Sequence, residues 1–351
     1  MYSQTSKGRI DIKSNLSEAE VQELVTLTDL EVIQFSEPLE PYTFQLLNDQ
    51  LFAKREDVEL RVYGFYDKTC DLSFLSALPH VTRFTVDCIR EVEHLDAILH
   101  LGQLKALHIG IYHLDSFDIL ARIPATLESL MLEQTRSKKP DLAVLERFSG
   151  LTTLYIEGHT RNIDVIGKLA HLEDVTLRSV TTSHVEFLAP LKKLWSLDIK
   201  LGGIHNYSAI EGMDSIKYLE LWQIRGLKDL SFISTLTGLQ YLFLQSLRNV
   251  EALPALNGLT KLRKVHLDTM KGLKDISSLG QAPSLTEFTH WSAMNMRMED
   301  YMALWSNPSV QRVKASFDSA KRNQEFEEWA QRFGKTSEIL WSGGEFPFDS
   351  F

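Results

Sequence analysis

The sequence predicts an α/β solenoid: short strands stacked into one parallel sheet of about 12–14, with a helical cap at each end. Three observations predict it. Of 351 residues, 53 are leucine, a share well above ordinary usage of even the commonest residue. The surplus stops at one end, since only Leu304 and Leu340 lie beyond residue 300. The apolar residues also recur in one frame at a nearly constant period, which marks an array of stacked units rather than a single core.

The frame is L-x-x-L-x-x-L-x-L. It runs through Leu236, Leu239, Leu242 and Leu244, and again through Leu259, Leu262, Val265 and Leu267. Its penultimate apolar position falls at Leu60, Phe84, Leu107, Leu130, Leu154, Val175, Leu197, Leu219, Leu242, Val265, Phe288 and Val313. The intervals are 24, 23, 23, 24, 21, 22, 22, 23, 23, 23 and 25 residues. Alternate side chains of a strand face opposite ways. Leu219 and Leu221 therefore point inward, and Tyr218, Glu220 and Trp222 outward. One coil cannot bury its apolar side alone, but stacked coils share a continuous core. At about 4.8 Å per strand such a sheet runs to roughly 60 Å.

The elements follow in chain order. Ile10 and Ile12 suit one early strand, and Leu27, Leu30, Ile33 and Phe35 form a weaker unit. Between them Ser17-Glu-Ala-Glu20 reads as a capping box, opening a helix through Val21, Leu24 and Val25. After Pro41, residues Phe44, Leu47, Leu51 and Phe52 share a helical face. Residues 1–56 are thus an N-terminal capping region with one or two irregular repeats, and 57–316 are the solenoid. Residues 317–351 are a C-terminal cap, in which Phe326, Trp329, Ala330 and Phe333 recur at helical spacing. The tail, Gly343 to Phe351, holds three Phe that suit folding back. The domain prior set by length gives way to one elongated domain.

Between strands runs a second phrase: Asp71-Leu-Ser-Phe-Leu75, Asp229-Leu-Ser-Phe-Ile233 and Asp275-Ile-Ser-Ser-Leu279. Together with the strand frame, from about Leu27 to Ala315, it resembles the leucine-rich repeat family, in the short bacterial type seen in internalin-like proteins. The resemblance implies a horseshoe whose parallel sheet lines the concave side, and partner choice written in the outward residues. One departure stands out. The family places Asn three residues after the last strand Leu, where this chain has Val180, Ile224, Leu247 and Met270. The turn after each strand is therefore expected to be packed rather than bridged by side-chain amides.

The outward positions carry an uneven distribution. Tyr218, Trp222, Tyr241, Phe243, His266 and Trp291 fall within four consecutive coils. Tyr and Trp are enriched at binding hot spots, so this patch is the candidate partner site. Two other readings stay open: aromatics pack across strands, or the C-terminal tail covers them. Asp198 and Glu220 join the candidate site as neighbours on adjacent strands. They form either an acidic rim suited to a basic protein surface or a pair neutralised locally by Lys200.

Other classes find little support. The formal net charge is −10, with 37 Lys and Arg against 47 Asp and Glu, so phosphate-backbone binding to nucleic acid is not expected. No apolar run reaches the roughly 18 residues of a membrane span. The start resembles no secretory signal, and two cysteines, Cys70 and Cys88, suit a reducing compartment; a cytoplasmic location is the expectation. The Asp198–Glu220 pair has the spacing of a retaining glycosidase, but a strand ladder creates such pairs without that purpose. No C-x-x-C, H-x-x-x-H or Gly-rich phosphate loop occurs, so no metal, cofactor or catalytic residue is assigned. His290 fills an inward Leu position and reads as a hydrogen-bonded core histidine. The expectation is a non-catalytic protein-interaction module with an adaptor, inhibitor or immunity-type role. The alternative is a glycan-binding module stacking sugars on Trp222 and Trp291. Oligomeric state is left open.

Overall fold

The structure is a computed structural model and describes residues 2–341 and 346–348. The chain forms two units, one up to Leu172 and one from Glu173 onward, and each is a stack of coils. In the first unit β1 (Tyr2–Ser6) and β2 (Arg9–Ile12) form an antiparallel hairpin. Its turn contains Gly8, at a left-handed φ of +72°. The hairpin is followed by α1 (Glu18–Thr26), β3 (Val32–Phe35), α2 (Pro41–Leu46) and β4 (Glu59–Tyr63). Next come the two-residue strand β5 (Cys70–Asp71), β6 (Arg83–Ile89) and the two-residue strand β7 (Val92–Glu93). β8 (Ala106–Ile111), β9 (Ser129–Leu132) and β10 (Thr153–Glu157) complete the unit. From β2 on, successive strands of the main sheet pair in parallel, while β5 and β7 pair as a small second ladder.

In the second unit β11 (Asp174–Arg178), β12 (Ser196–Lys200), β13 (Tyr218–Trp222), β14 (Tyr241–Gln245), β15 (Lys264–Asp268) and β16 (Glu287–Trp291) lie in chain order. After α3 (Met302–Ser306) comes the last strand, β17 (Arg312–Ala315), and then α4 (Ala320–Arg332). All pairings here are parallel and join equivalent positions of the frame. Among the described residues the main-sheet strands number fifteen, against the 12–14 expected. The excess lies in the N-terminal hairpin, which precedes the repeat frame.

The recurrent phrases have local causes. In Asp71, Asp229 and Asp275, Oδ1 accepts the backbone N–H two residues on at 2.8 Å in each case. Each carboxylate thereby caps a 3-10 turn, Ser73–Ala77, Ser231–Thr235 and Ser277–Gln281. This is the local side chain-to-backbone bond that makes Asp favourable at such starts. That bond holds the carboxyls of Asp71 and Asp275 below the usual range.

Val180, Ile224, Leu247 and Met270 are all buried, so the turns after the strands are packed as expected. The residue before each, Ser179, Gln223, Ser246 and Thr269, is left-handed. Its N–H donates to a carbonyl of the next coil, at 2.7 to 3.0 Å. Main-chain bonds thus do the bridging expected of the missing amide. Amide bridges do occur elsewhere: Asn295 and Asn307 each donate to two carbonyls of the preceding coil.

The caps form as the pattern requires. Ser17 Oγ accepts the Glu20 N–H, and the Ser17 N–H donates to Glu20 Oε2 at 2.8 Å. Phe44, Leu47, Leu51 and Phe52 are buried across α2 and the π-helical turn after it. In α4 Phe326 and Ala330 are buried, and the Phe326 ring meets Tyr301 and Trp305 at 5.1 and 4.8 Å between centroids. Phe333 follows α4 and is exposed, although its ring stacks on Trp305 and Trp329, each at 6.1 Å between centroids.

Coil spacing leaves no room for a side chain at Gly238. A Cβ there would sit 1.8 Å from the Asp214 carbonyl oxygen. Gly238→Ala is expected to cost about 1–3 kcal/mol by overpacking, seen as a lower urea midpoint. An unchanged midpoint would show that the turn yields freely.

Candidate functional site

The strand register places the predicted residues. On one outward ladder Asp198 pairs with Glu220, Glu220 with Phe243, and Phe243 with His266. On the ladder before it Tyr218 pairs with Tyr241, Tyr241 with Lys264, and Lys264 with Glu287. Trp222 and Trp291 stand on the third ladder, three strands apart. Asp198, Tyr218, Glu220, Tyr241, Phe243 and His266 come together around a cavity of about 460 Å³. Trp222 and Trp291 are not among its lining residues.

The face is drier than its outward position suggests. Phe346 packs against Tyr241 at 5.4 Å between centroids, and Phe348 against Trp195 and Tyr218 at 5.1 and 6.0 Å. Both tail rings line the cavity. The tail expectation holds for these two rings; Gly343, Gly344, Glu345, Asp349, Ser350 and Phe351 lie outside the described residues. Upstream, the Leu340 N–H donates to Glu287 Oε2 at 2.7 Å, and Lys264 Nζ donates to the Trp341 carbonyl. Lys264 and Glu287 are consequently only 2% and 0% exposed, although both occupy outward positions. They form an ion pair at 3.1 Å, with Glu287 Oε1 poorly aligned for a hydrogen bond. Burial pulls the Lys264 ammonium below its ordinary value, and Glu287 opposes that shift.

Lys200 settles the state of the acidic pair. Its Nζ lies 3.1 Å from Asp198 Oδ2 and 3.2 Å from Glu220 Oε2, and Tyr218 donates its hydroxyl to Glu220 Oε2 at 2.8 Å. The pair is bridged rather than left as a free rim. Although burial disfavours its charge, the two carboxylates hold Lys200 above the usual lysine value. Asp198 Oδ1 is buried without a hydrogen-bond partner among the described residues. Burial first and the Glu220 charge second push the Asp198 carboxyl up to about 7. Burial likewise raises the Tyr218 and Tyr241 hydroxyls.

His266 stacks on Phe243 at 4.4 Å and meets the Trp291 edge at 6.4 Å. Burial, then the Lys264 charge, hold it down to about 4, so it is neutral at pH 7. The rings of Trp222 and Trp291 each carry a cation over one face: the Arg178 guanidinium at 5.6 Å and the Lys314 ammonium at 6.0 Å.

His290 is a buried core histidine, as expected, with Nδ1 2.9 Å from the Tyr301 hydroxyl oxygen. Spacing revealed no metal motif, yet the fold gathers Asp87, His108 and Glu133 from three coils of the first unit, with a ligand atom of each within 4.8 Å of the others. These groups are already engaged. Arg61 binds both Asp87 oxygens at 2.8 Å, and His108 Nε2 lies 3.0 Å from Glu133 Oε1. Trp195 was not singled out by the sequence, because it precedes its strand and belongs to no outward ladder. Among the described residues, no helix is long and apolar enough to cross a membrane.

Parallel coils of this period, each a strand, a packed turn and in most coils a 3-10 segment, define a leucine-rich repeat solenoid. Among solved structures the chain is similar to an internalin, InlF, from Listeria monocytogenes, with 17% identity and a TM-score of 0.59 over 88% of this chain and 86% of that one. It is also similar to a leucine-rich repeat protein of Leptospira interrogans, with 14% identity and a TM-score of 0.51 over 91% and 92%. At such identities the likeness concerns the fold. No protein-family model matches the sequence, and no curated protein matches it.

Proposed function

We propose that this is a non-catalytic interaction module that binds a protein partner on the outward face of its second unit, in an adaptor, inhibitor or immunity-type role in the bacterial cytoplasm. The carrying observation is the row Phe243, His266 and Trp291, whose rings are half-buried and in mutual contact. Half-exposed aromatics add large contact area at little entropic cost. Leucine-rich repeat neighbours agree with an interaction role in general. Sugar stacking is the weaker reading, because Arg178 and Lys314 already occupy one face of Trp222 and Trp291. Hydrolysis is disfavoured because Lys200 ties both carboxylates together.

The test is affinity capture from bacterial extract, followed by titration of the captured protein. Phe243→Ala and Trp291→Ala are each expected to weaken binding by about 2 kcal/mol or more, roughly 30-fold, with circular dichroism unchanged. Undiminished binding by both folded variants would refute this site.

A further inference from the structure

The cavity beneath the tail combines three properties that no single ladder possesses. Its walls are aromatic: Trp195, Tyr218, Tyr241, Phe346 and Phe348. Aromatic faces carry negative quadrupole potential and attract cations. Its polar side is acidic, with Asp174, Asp198 and Glu220 among the lining residues. Lys200 is the cation bridging Asp198 and Glu220, so the three carboxylates outnumber it when ionised. Lys264 is committed to Glu287 and the Trp341 carbonyl. The third property is an unsatisfied acceptor, Asp198 Oδ1, buried and without a donor among the described residues. Leaving a buried carboxylate oxygen unpaired is costly, and an N–H brought by an occupant would remove that cost. A volume of about 460 Å³ lies within the range of small-ligand sites.

We infer that this cavity is a binding site for an organic cation bearing N–H donors, an alkylammonium or guanidinium group, whose alkyl stem lies among the rings while its head meets Asp198. The inference rests on the reading of this face as the binding face. The same chemistry has two sources, a free amine or a lysine or arginine side chain of a protein partner. A quaternary ammonium suits the rings but offers no proton to Oδ1.

Occupancy should depend on pH. The groups facing Asp198 are Asp174 on β11, Lys200 on β12, Tyr218 and Glu220 on β13, Tyr241 on β14 and His266 on β15. His266 is neutral well below pH 6 and Lys200 is held protonated. Burial raises the Asp174 carboxyl as well, so a variant at Asp198 is needed to separate the two acids. With the Asp198 carboxyl at about 7, binding to its ionised form should weaken about tenfold between pH 8 and pH 6.

The experiment is calorimetric titration of the full chain at pH 8 with two matched pairs of probes. One pair is n-butylamine and the neutral 1-pentanol. The other is a blocked Gly-Lys-Gly tripeptide and its norleucine counterpart. Saturable binding of a cation, at least about tenfold tighter than its neutral partner, is the expected result. A stronger response to the lysine peptide than to butylamine would assign the cation to a partner's side chain, and the reverse to a free amine. Asp198→Asn is expected to bind the cation at least about tenfold more weakly and to lose the pH 8 to pH 6 dependence. The same variant should be more stable than the native chain at pH 8, where an ionised buried Asp198 opposes folding. A merely structural Asp198 would not move affinity and stability in opposite directions.

Equal binding of charged and neutral probes by the native chain would overturn the inference, whether or not the variant folds. Capture of a protein on this face without any cation preference would overturn it too, leaving the protein-binding reading intact. A cation preference in a chain that captures no protein would support the cavity and sink that reading.

Discussion

Lys264→Met is expected to lower stability by about 3–5 kcal/mol, the usual cost of removing one member of a buried ion pair. Its partner Glu287 is fully buried and, among the described residues, would keep only the Leu340 N–H at 2.7 Å. A carboxylate so poorly compensated must either be protonated or drag water into the packed face. The double variant Lys264→Met with Glu287→Leu should lie within about 1 kcal/mol of the native chain, since an apolar pair of similar volume replaces a buried ion pair at little net cost. Both variants lose the Lys264 contact to the Trp341 carbonyl, and the double variant also loses the Leu340 anchor. Chymotryptic cleavage after Phe348 should therefore be faster in the double variant even though stability recovers. Urea denaturation and the cleavage time course read the two effects separately. If the double variant is no more stable than Lys264→Met alone, the ion pair is not the source of the loss.

Acidification from pH 6 to pH 4.5 is expected to destabilise the second unit through its histidines. His290 is held down to about 3, chiefly by burial and further by His266. His266 itself stays near 4. In the unfolded chain both take up protons near the ordinary value of about 6.5, so in this window the unfolded state binds nearly two more protons on these groups. Asp198 acts oppositely. Its folded carboxyl, at about 7, retains a proton that the unfolded chain has released. The Asp174 carboxyl, also raised by burial, acts in the same sense as Asp198. The balance is therefore at most one proton in favour of the unfolded state, and stability should fall by up to about 1.4 kcal/mol per pH unit on acidification. His290→Leu restores the residue type of its register neighbour Leu267 and removes one of the two histidines. The variant should therefore show a flat or slightly reversed profile across this window. Urea midpoints at pH 6, 5.25 and 4.5 measure both slopes. A variant slope equal to the native one would refute the assignment to His290.

The repeat, its register and the inward and outward identity of each strand residue were legible in sequence. A period near 23 residues leaves one consistent stacking, and Asp198 beside Glu220 follows from it. The caps were legible for the same kind of reason: a capping box and a helical apolar stripe are local patterns. What the frame could not reveal was water. Positions 264 and 287 read as outward, yet the tail anchored at Leu340 and Trp341 buries them both. The frame offered both a free acidic rim and a pair neutralised by Lys200 without deciding between them, and it could not show that Asp87, His108 and Glu133 meet.

A short-range pattern thus determines the coil, because each strand buries its alternate residues against its neighbours. It does not determine which outward residues stay wet. That depends on a segment about 50 to 150 residues away along the chain, brought back by two hydrogen bonds and two phenyl rings. The Leu surplus specified the stack, and only the tertiary structure turned part of its open face into a cavity.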